Sequence, residues 1–270
     1  MSTTKQQREA DFHDHAYSES VREKVWGFYD ITDASSEYFW SIMAREEPAR
    51  KEVLELGCGV GAQAFRLASL GARVTAIDIS PVAITQVQAR ARHEGVDDRA
   101  TFQVMDGEAL EFNDATFDLV CGSAIIHHLE PQKAYAEIAR VLRPGGAGVF
   151  IEPLGHNPLI NWYRNRTPEL RTPDEHPLLM QELALARRAF GVVDTQFFHL
   201  SSLMAIPFRG QKFFPHMIRL FDALDRRMFS ITPMLRKYAW FTVFRLADPF
   251  RSDRPDVMPF VTRESGPGPL

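Results

Sequence analysis

The 270-residue chain is predicted to fold as an α/β protein built on a doubly wound parallel sheet, and three observations carry that prediction. Short apolar segments alternate with helix-patterned stretches from residue 51 to residue 152. The first apolar segment runs directly into a glycine-rich turn, VLELGCGVGAQAF. The second ends in Asp78, where a sheet of this kind presents its ligand edge.

Taken in order, residues 1–50 carry a helical pattern with aromatics at Trp26, Phe28, Tyr29, Tyr38, Phe39 and Trp40, expected as a cap. Residues 53–56 read as strand one, 62–70 as a helix stopped by Gly71, and 73–77 as strand two. Pro81 suits the first turn of the next helix, because its missing N–H would be unpaired there anyway. Residues 101–105 and 117–121 are strands three and four. A helix over 132–142 is expected to stop at Pro144, Gly145 and Gly146, with 147–151 as strand five. The ligand-binding core is therefore expected over 51–152. The proline-rich segment 153–180 is too long for an ordinary connection and reads as a lid. It opens a region, 153–250, with a further strand over 192–200, an amphipathic helix over 211–229 and a last strand over 238–246. Residues 251–270 read as a flexible tail rich in Pro, Gly and charge.

Composition narrows the class. With 45% hydrophobic and 24% charged residues, the chain can bury a full core as one large or two small domains. A net charge of −4 offers no basic face for nucleic acid. The two cysteines, Cys58 and Cys121, read as reduced thiols of a cytoplasmic protein, since a bridge at Cys58 would obstruct the glycine turn. The polar N-terminus lacks the apolar core of a signal peptide, and no apolar run reaches the ~20 residues of a membrane span.

The glycine turn carries the chemistry. Gly57, Gly59 and Gly61 stand where a strand becomes a helix, so backbone N–H groups can approach a ligand closely. Asp78 follows the first glycine by 78 − 57 = 21 residues, the spacing of a carboxylate that accepts ribose hydroxyls. Gly57-x-Gly59-x-x-Ala62 also satisfies the dinucleotide fingerprint, so this pattern alone leaves two ligands open. Glu55 distinguishes them: a carboxylate facing the cradle would repel a pyrophosphate and hold an ammonium group. Asp106, in VMDGEAL, is placed to accept an adenine amino group.

ELGCGVG, AIDIS, VMDGEAL, FDLVCGSAIIHHL and VLRPGG occur in this order across about residues 50–152. As a set they resemble the class I S-adenosylmethionine-dependent methyltransferases, in particular the ubiquinone and menaquinone methyltransferase-like group. The resemblance implies a Rossmann-like, seven-stranded sheet whose last strand, here 238–246, is antiparallel. It implies S-adenosylmethionine as cofactor. Glu55 with the turn of Gly57, Cys58 and Gly59 would hold its methionine end. Asp78 and Ile79 would hold the ribose, and Asp106 with Gly107 the adenine. Ser123 and Ala124 would line the methyl side. The expected reaction is methylation of a small, hydrophobic metabolite, at oxygen first, with carbon and nitrogen open. GSAI after strand four, in place of an Asn-Pro-Pro-Tyr signature, points away from nucleobase amino groups. Two alternatives stay in view: a methyltransferase-fold enzyme coupling methylation to cyclisation or another non-methylating reaction, and an NAD-binding Rossmann protein.

Four histidines are candidate general bases: His127 and His128 after strand four, and His156 and His176 in the lid segment. Trp26, Tyr29, Asn157, Tyr163, Arg164 and Arg171 are candidate lid residues around the substrate. His13 and His15 read as surface residues; His-x-His is also a metal-ligand spacing, but no Cys or acid cluster at suitable spacing supports a metal site. Residues 213–244 mix Phe214, Met217, Ile218, Phe221, Leu224 and Met228 at helical spacing with arginines, and read chiefly as a helix packed on the sheet or on a second subunit. A small-molecule substrate is the expected partner, with a homo-oligomer favoured by the aromatic N-terminal cap.

Overall fold

The computed structural model describes residues 4–18, 31–168 and 175–250. Trp26, Phe28, Tyr29, Arg171 and the tail 251–270 lie outside the described residues.

The centre is a seven-stranded sheet of order β3-β2-β1-β4-β5-β7-β6. Its strands are β1 (Glu52–Leu56), β2 (Arg73–Asp78), β3 (Ala100–Val104), β4 (Phe117–Ser123), β5 (Leu142–Pro153), β6 (Phe190–Phe198) and β7 (Phe241–Pro249). The pairs β2/β3, β1/β2, β1/β4 and β4/β5 are parallel, while β7 lies antiparallel between β5 and β6. The last strand is thus antiparallel, as the resemblance implied. It starts three residues later than expected because a 3₁₀ turn, Pro233–Tyr238, occupies the front of the predicted segment.

Local chemistry sets the crossovers. Gly61 takes the left-handed N-cap position of α3 (Ala62–Ser69), with φ 82°. Ser80 caps α4 (Pro81–Glu94) by accepting the Ala83 N–H at 3.0 Å, Pro81 opens the helix, and Gly95 closes it at φ 67°. Between β4 and β5, α5 (Pro131–Val141) buries Ala134, Tyr135 and Ile138. Alternation along β1 sends Val53 into the core on the α3 side and Leu54 and Leu56 into the opposite core.

Two expectations are corrected. Pro144, Gly145 and Gly146 do not separate helix from strand but lie inside β5. The register jumps there, from Phe117 opposite Leu142 to Leu119 opposite Ala147, so the Pro-Gly-Gly run is accommodated as a bulge. The 153–180 segment is not one irregular lid. It contains α6 (Pro158–Arg164), a parallel bridge between Leu154 and Leu178, and the start of α7 (Met180–Leu185).

Two N-terminal helices complete the architecture. In α2 (Asp33–Arg45), Phe39, Ile42 and Met43 are buried against the sheet. Helix α1 (Lys5–Ser18) is tied to the start of α4, where Asp14 accepts the Ser80 hydroxyl and the Val82 N–H. Helix α8 (Phe214–Ile231) matches the predicted amphipathic helix. Its buried Asp225 accepts the Leu200 and Ser201 N–H groups at 2.9 and 2.7 Å, fixing it to the turn after β6. Leu220, Leu224 and Ile231 face outward from it, so Leu224 does not pack on the sheet. Cys58 and Cys121 are free and buried. No described helix is long and apolar enough to cross a membrane.

A Cβ on Gly61 would meet Val87 Cγ2 while the backbone sits at φ +82°. Gly61→Ala is therefore expected to lower stability by about 2–4 kcal/mol, read from urea unfolding.

Candidate active site

The C-terminal ends of the parallel strands and helix α1 enclose a cavity of about 650 Å³, within the range of small-molecule sites. One end is walled by Gly57, Asp78, Ile79, Asp106, Gly107, Ser123 and Ala124. The other is walled by His127, His128, Tyr163, Arg164, Glu175 and the apolar side chains of Ile151, Ile160, Trp240 and Phe241.

Asp78 organises the first end. Its Oδ2 accepts the Gly59 N–H at 2.8 Å and its Oδ1 accepts the Ser80 N–H at 2.9 Å, so one carboxylate fixes the glycine turn and the start of α4. Gly57 has φ +64°, and a Cβ there would come within 2.6 Å of Ile125 Cδ1. Asp106 Oδ1 accepts the Glu108 N–H at 2.8 Å. Ala124 also adopts positive φ, 53°, and donates its N–H to the Ile151 carbonyl at 2.8 Å.

Glu55, Cys58 and Gly59 do not line the cavity. Glu55 was expected to face the cradle. Strand alternation instead puts it on the Val53 side of β1, buried beneath the turn at the start of α3. Burial pushes its pKa up to about 8, and nearby Asp78 adds to this, while a hydrogen bond from the Ala64 N–H opposes it. Its Oε2 is buried without a protein hydrogen-bond partner.

Of the four candidate histidines, His127 and His128 line the cavity, and His156 and His176 do not. His156 Nε2 accepts the Met180 N–H at 3.2 Å, and His176, half exposed, pairs with Glu182 at 2.8 Å. Both are used in shaping the turn into α7 rather than at the cavity. Asn157 is likewise structural: its Oδ1 accepts the Leu159 and Ile160 N–H groups as the α6 cap, and its Nδ2 donates to the Tyr238 carbonyl at 2.6 Å. Tyr163 and Arg164 do reach the cavity.

His127 is buried against Glu152. Glu152 Oε1 accepts the Ile125 and Ile126 N–H groups, each at 2.8 Å, and its Oε2 lies 2.7 Å from His127 Nδ1. This arrangement assigns the ring proton to Nδ1 and leaves Nε2 as an acceptor, 3.8 Å from Glu175. Burial and neighbouring His128 lower the His127 pKa, against the opposing pull of Glu152, so the ring is neutral near pH 7. Glu175 is pushed up by burial but held below the usual carboxylate range by His127, His128 and Arg164, whose Nη2 lies 2.9 Å away.

His13 is not a surface residue as expected. It lines the cavity from α1 beside Glu9, and both approach His128. Sequence reasoning missed Glu9 and Trp240. The Glu9 signal was its spacing, four residues before His13 and so on one face of α1.

A carboxyl with a raised folded pKa favours the folded state only while protonated. Its ionisation therefore erodes stability from about pH 4.5, the ordinary value, up to about pH 8. Glu55→Gln is expected to raise the melting temperature of the ligand-free protein, by an amount that grows through this window and levels off above it.

Residues 54–150 match the family described as the methyltransferase domain. A 27-O-demethylrifamycin SV methyltransferase of Amycolatopsis mediterranei is 32% identical over 142 residues, covering 51% of this chain and 52% of that protein. A ubiquinone biosynthesis O-methyltransferase of Xanthomonas axonopodis pv. citri is 34% identical over 119 residues, covering 43% and 48%. The chain thus spans about half the length of these curated relatives. The crystal structure of the cyclase SpnF superposes with a TM-score of 0.60 at 18% identity, covering 93% of this chain and 98% of that one, which establishes the shared fold. Residues 54–150 are thus similar to methyltransferase domains, in line with the resemblance and not with the dinucleotide alternative.

Proposed function

We propose that the protein is an S-adenosylmethionine-dependent methyltransferase acting on a small, largely apolar metabolite, with an oxygen acceptor. The observation that carries this reading is the continuity of one cavity from Asp78 to His127. The residues present suit the cofactor. Gly57 lines the cavity without a side chain, and Glu55 Oε2 is buried beneath the same turn without a protein partner. Asp78 retains lone pairs for ribose hydroxyls, and Asp106 reaches the same end of the cavity. The cofactor, when bound, supplies a methyl group already activated on a sulfonium.

The chain's remaining task is alignment, exclusion of water and removal of the acceptor proton. Ile151, Ile160, Trp240 and Phe241 would seat an apolar acceptor body. His127 would take the acceptor proton at Nε2, with Glu152 holding its Nδ1–H and stabilising the charged ring that forms. Tyr163 and Arg164 would orient the acceptor's polar group from α6.

Calorimetry with S-adenosylhomocysteine is the primary test. Binding is expected in the wild type and weakened about 100-fold in Asp78→Ala, where two backbone donors and the ligand lose one charged acceptor. His127→Ala is expected to leave that affinity near wild type while lowering kcat by about 10²–10⁴-fold once an acceptor is found. Mass analysis of the product separates simple methylation from a rearranged, unmethylated product. Absence of S-adenosylhomocysteine binding by the wild type would overturn the proposal.

A further inference from the structure

We propose that Glu9, His13 and His128 form a binding site for a divalent cation of the zinc class on the wall of the cavity. Glu9 Oε2 stands 3.2 Å from His128 Nδ1 and 3.6 Å from His13 Nε2. The three donor atoms all lie within 4.8 Å of one another. A tetrahedral zinc with N and O ligands at about 2.0–2.1 Å needs ligand atoms about 3.3 Å apart. Two edges of that triangle are thus already within a few tenths of an ångström of the required length. Rotation of the imidazoles closes the third.

Both histidines face one carboxylate oxygen of Glu9. His128 is within hydrogen-bond reach of Oε2, whereas His13 at 3.6 Å is not. Both rings nevertheless converge on the same oxygen, with centroids 5.3 Å apart. Convergence on a common centre is what metal ligands show. Two imidazoles with one carboxylate form the ligand set of catalytic zinc sites, and the nitrogen donors disfavour magnesium and calcium, which prefer all-oxygen shells.

The sequence builds this set from two distant pieces. Glu9 and His13 are four residues apart on α1, so helical geometry places them on one face. His128 ends the 3₁₀ turn Ile126–His128, whose approach is clamped by Glu152 through the Ile125 and Ile126 N–H groups. Helix α1 is held in place by Asp14 at the start of α4, and Lys5 Nζ lies 3.7 Å from Glu108. Glu9 is buried, His13 and His128 are partly buried, and all three line the cavity. Three ligands leave a coordination position open toward that space.

A second grouping, His127, His128 and Glu175, is also compact enough for an ion. There Glu175 already bonds the Arg164 guanidinium at 2.9 Å and His127 Nδ1 is engaged by Glu152, so a cation would compete with a fixed positive charge. The Glu9 set leaves His127 and its contact with Glu152 undisturbed. The cation site itself is independent of the methyl-transfer reading. Only its use rests on that reading: the open position would take a hydroxyl or anionic oxygen of the acceptor and hold it beside His127.

The test uses tag-free, full-length protein freed of metal with a chelator. Titration with Co²⁺ is expected to give the visible absorption of a low-coordinate site at one equivalent, bleached by Zn²⁺. Zinc affinity, read by competition with a chromogenic chelator, is expected to fall about 100-fold in Glu9→Gln and in His13→Ala, at least the loss seen when a supporting outer group is removed. His176→Ala, at an exposed histidine outside the cavity, is expected to bind as the wild type does. Glu9→Gln preserves size and hydrogen bonding, so a loss in that variant is not a loss of fold, and its circular dichroism is expected to be unchanged. Failure of the wild type to bind one equivalent of zinc would overturn the site, as would equal affinity in His13→Ala. S-adenosylhomocysteine binding measured on the same proteins reports separately on the methyltransferase reading.

Discussion

Asp78 closes the most consequential contact in the molecule. A strand must end, a helix must begin, and a glycine turn from a neighbouring strand must stay open between them. The carboxylate meets all three demands by accepting the Gly59 N–H with one oxygen and the Ser80 N–H with the other. Ser80 in turn caps α4 and meets Asp14 of α1. A chain of acceptors and donors therefore runs from the glycine turn to the N-terminal helix. The shape of the cavity depends on it, because both Gly57 and α1 line that cavity.

The same economy appears on the acceptor side. Glu152, the penultimate residue of β5, satisfies two backbone donors of the turn after β4 and orients His127. A fully buried carboxylate is costly unless each lone pair is used. Here three donors use it, and the outcome is a rigid loop that presents one histidine by its Nε2. Glu55 is the contrast. Its Oε2 is left without a protein partner, and burial raises its pKa to about 8.

Much of the parallel half of the sheet was legible because its signals are local. Alternating apolar segments, Pro81 at a helix start, and the spacing from Gly57 to Asp78 each follow from backbone physics within a few residues. The bulge at Pro144, Gly145 and Gly146 misled because glycine and proline mark both helix ends and strand irregularities, and only pairing with β4 decides between them. His156 and His176 were equally plausible bases on residue type alone. Their position outside the cavity lining depends on how α6 and α7 pack, which no local pattern encodes. His13 failed in the opposite sense. A polar segment looked solvent-exposed, yet its buried face meets His128 at a sequence separation of 128 − 13 = 115. Pairings at that separation are invisible to periodicity.

The placement of β7 has a bearing on how the protein is made. Of the seven described strands, the one made last sits inside the sheet, between β5 and β6. Until residues 241–249 emerge, β5 presents a bare edge and β6 has no neighbour to pair with. The parallel half can assemble early on the nascent chain, but the sheet can be sealed only after residues 241–249 have been made. During that interval the long, apolar edge of β5 is open to any other extended chain, which makes it the segment a chaperone would most usefully cover.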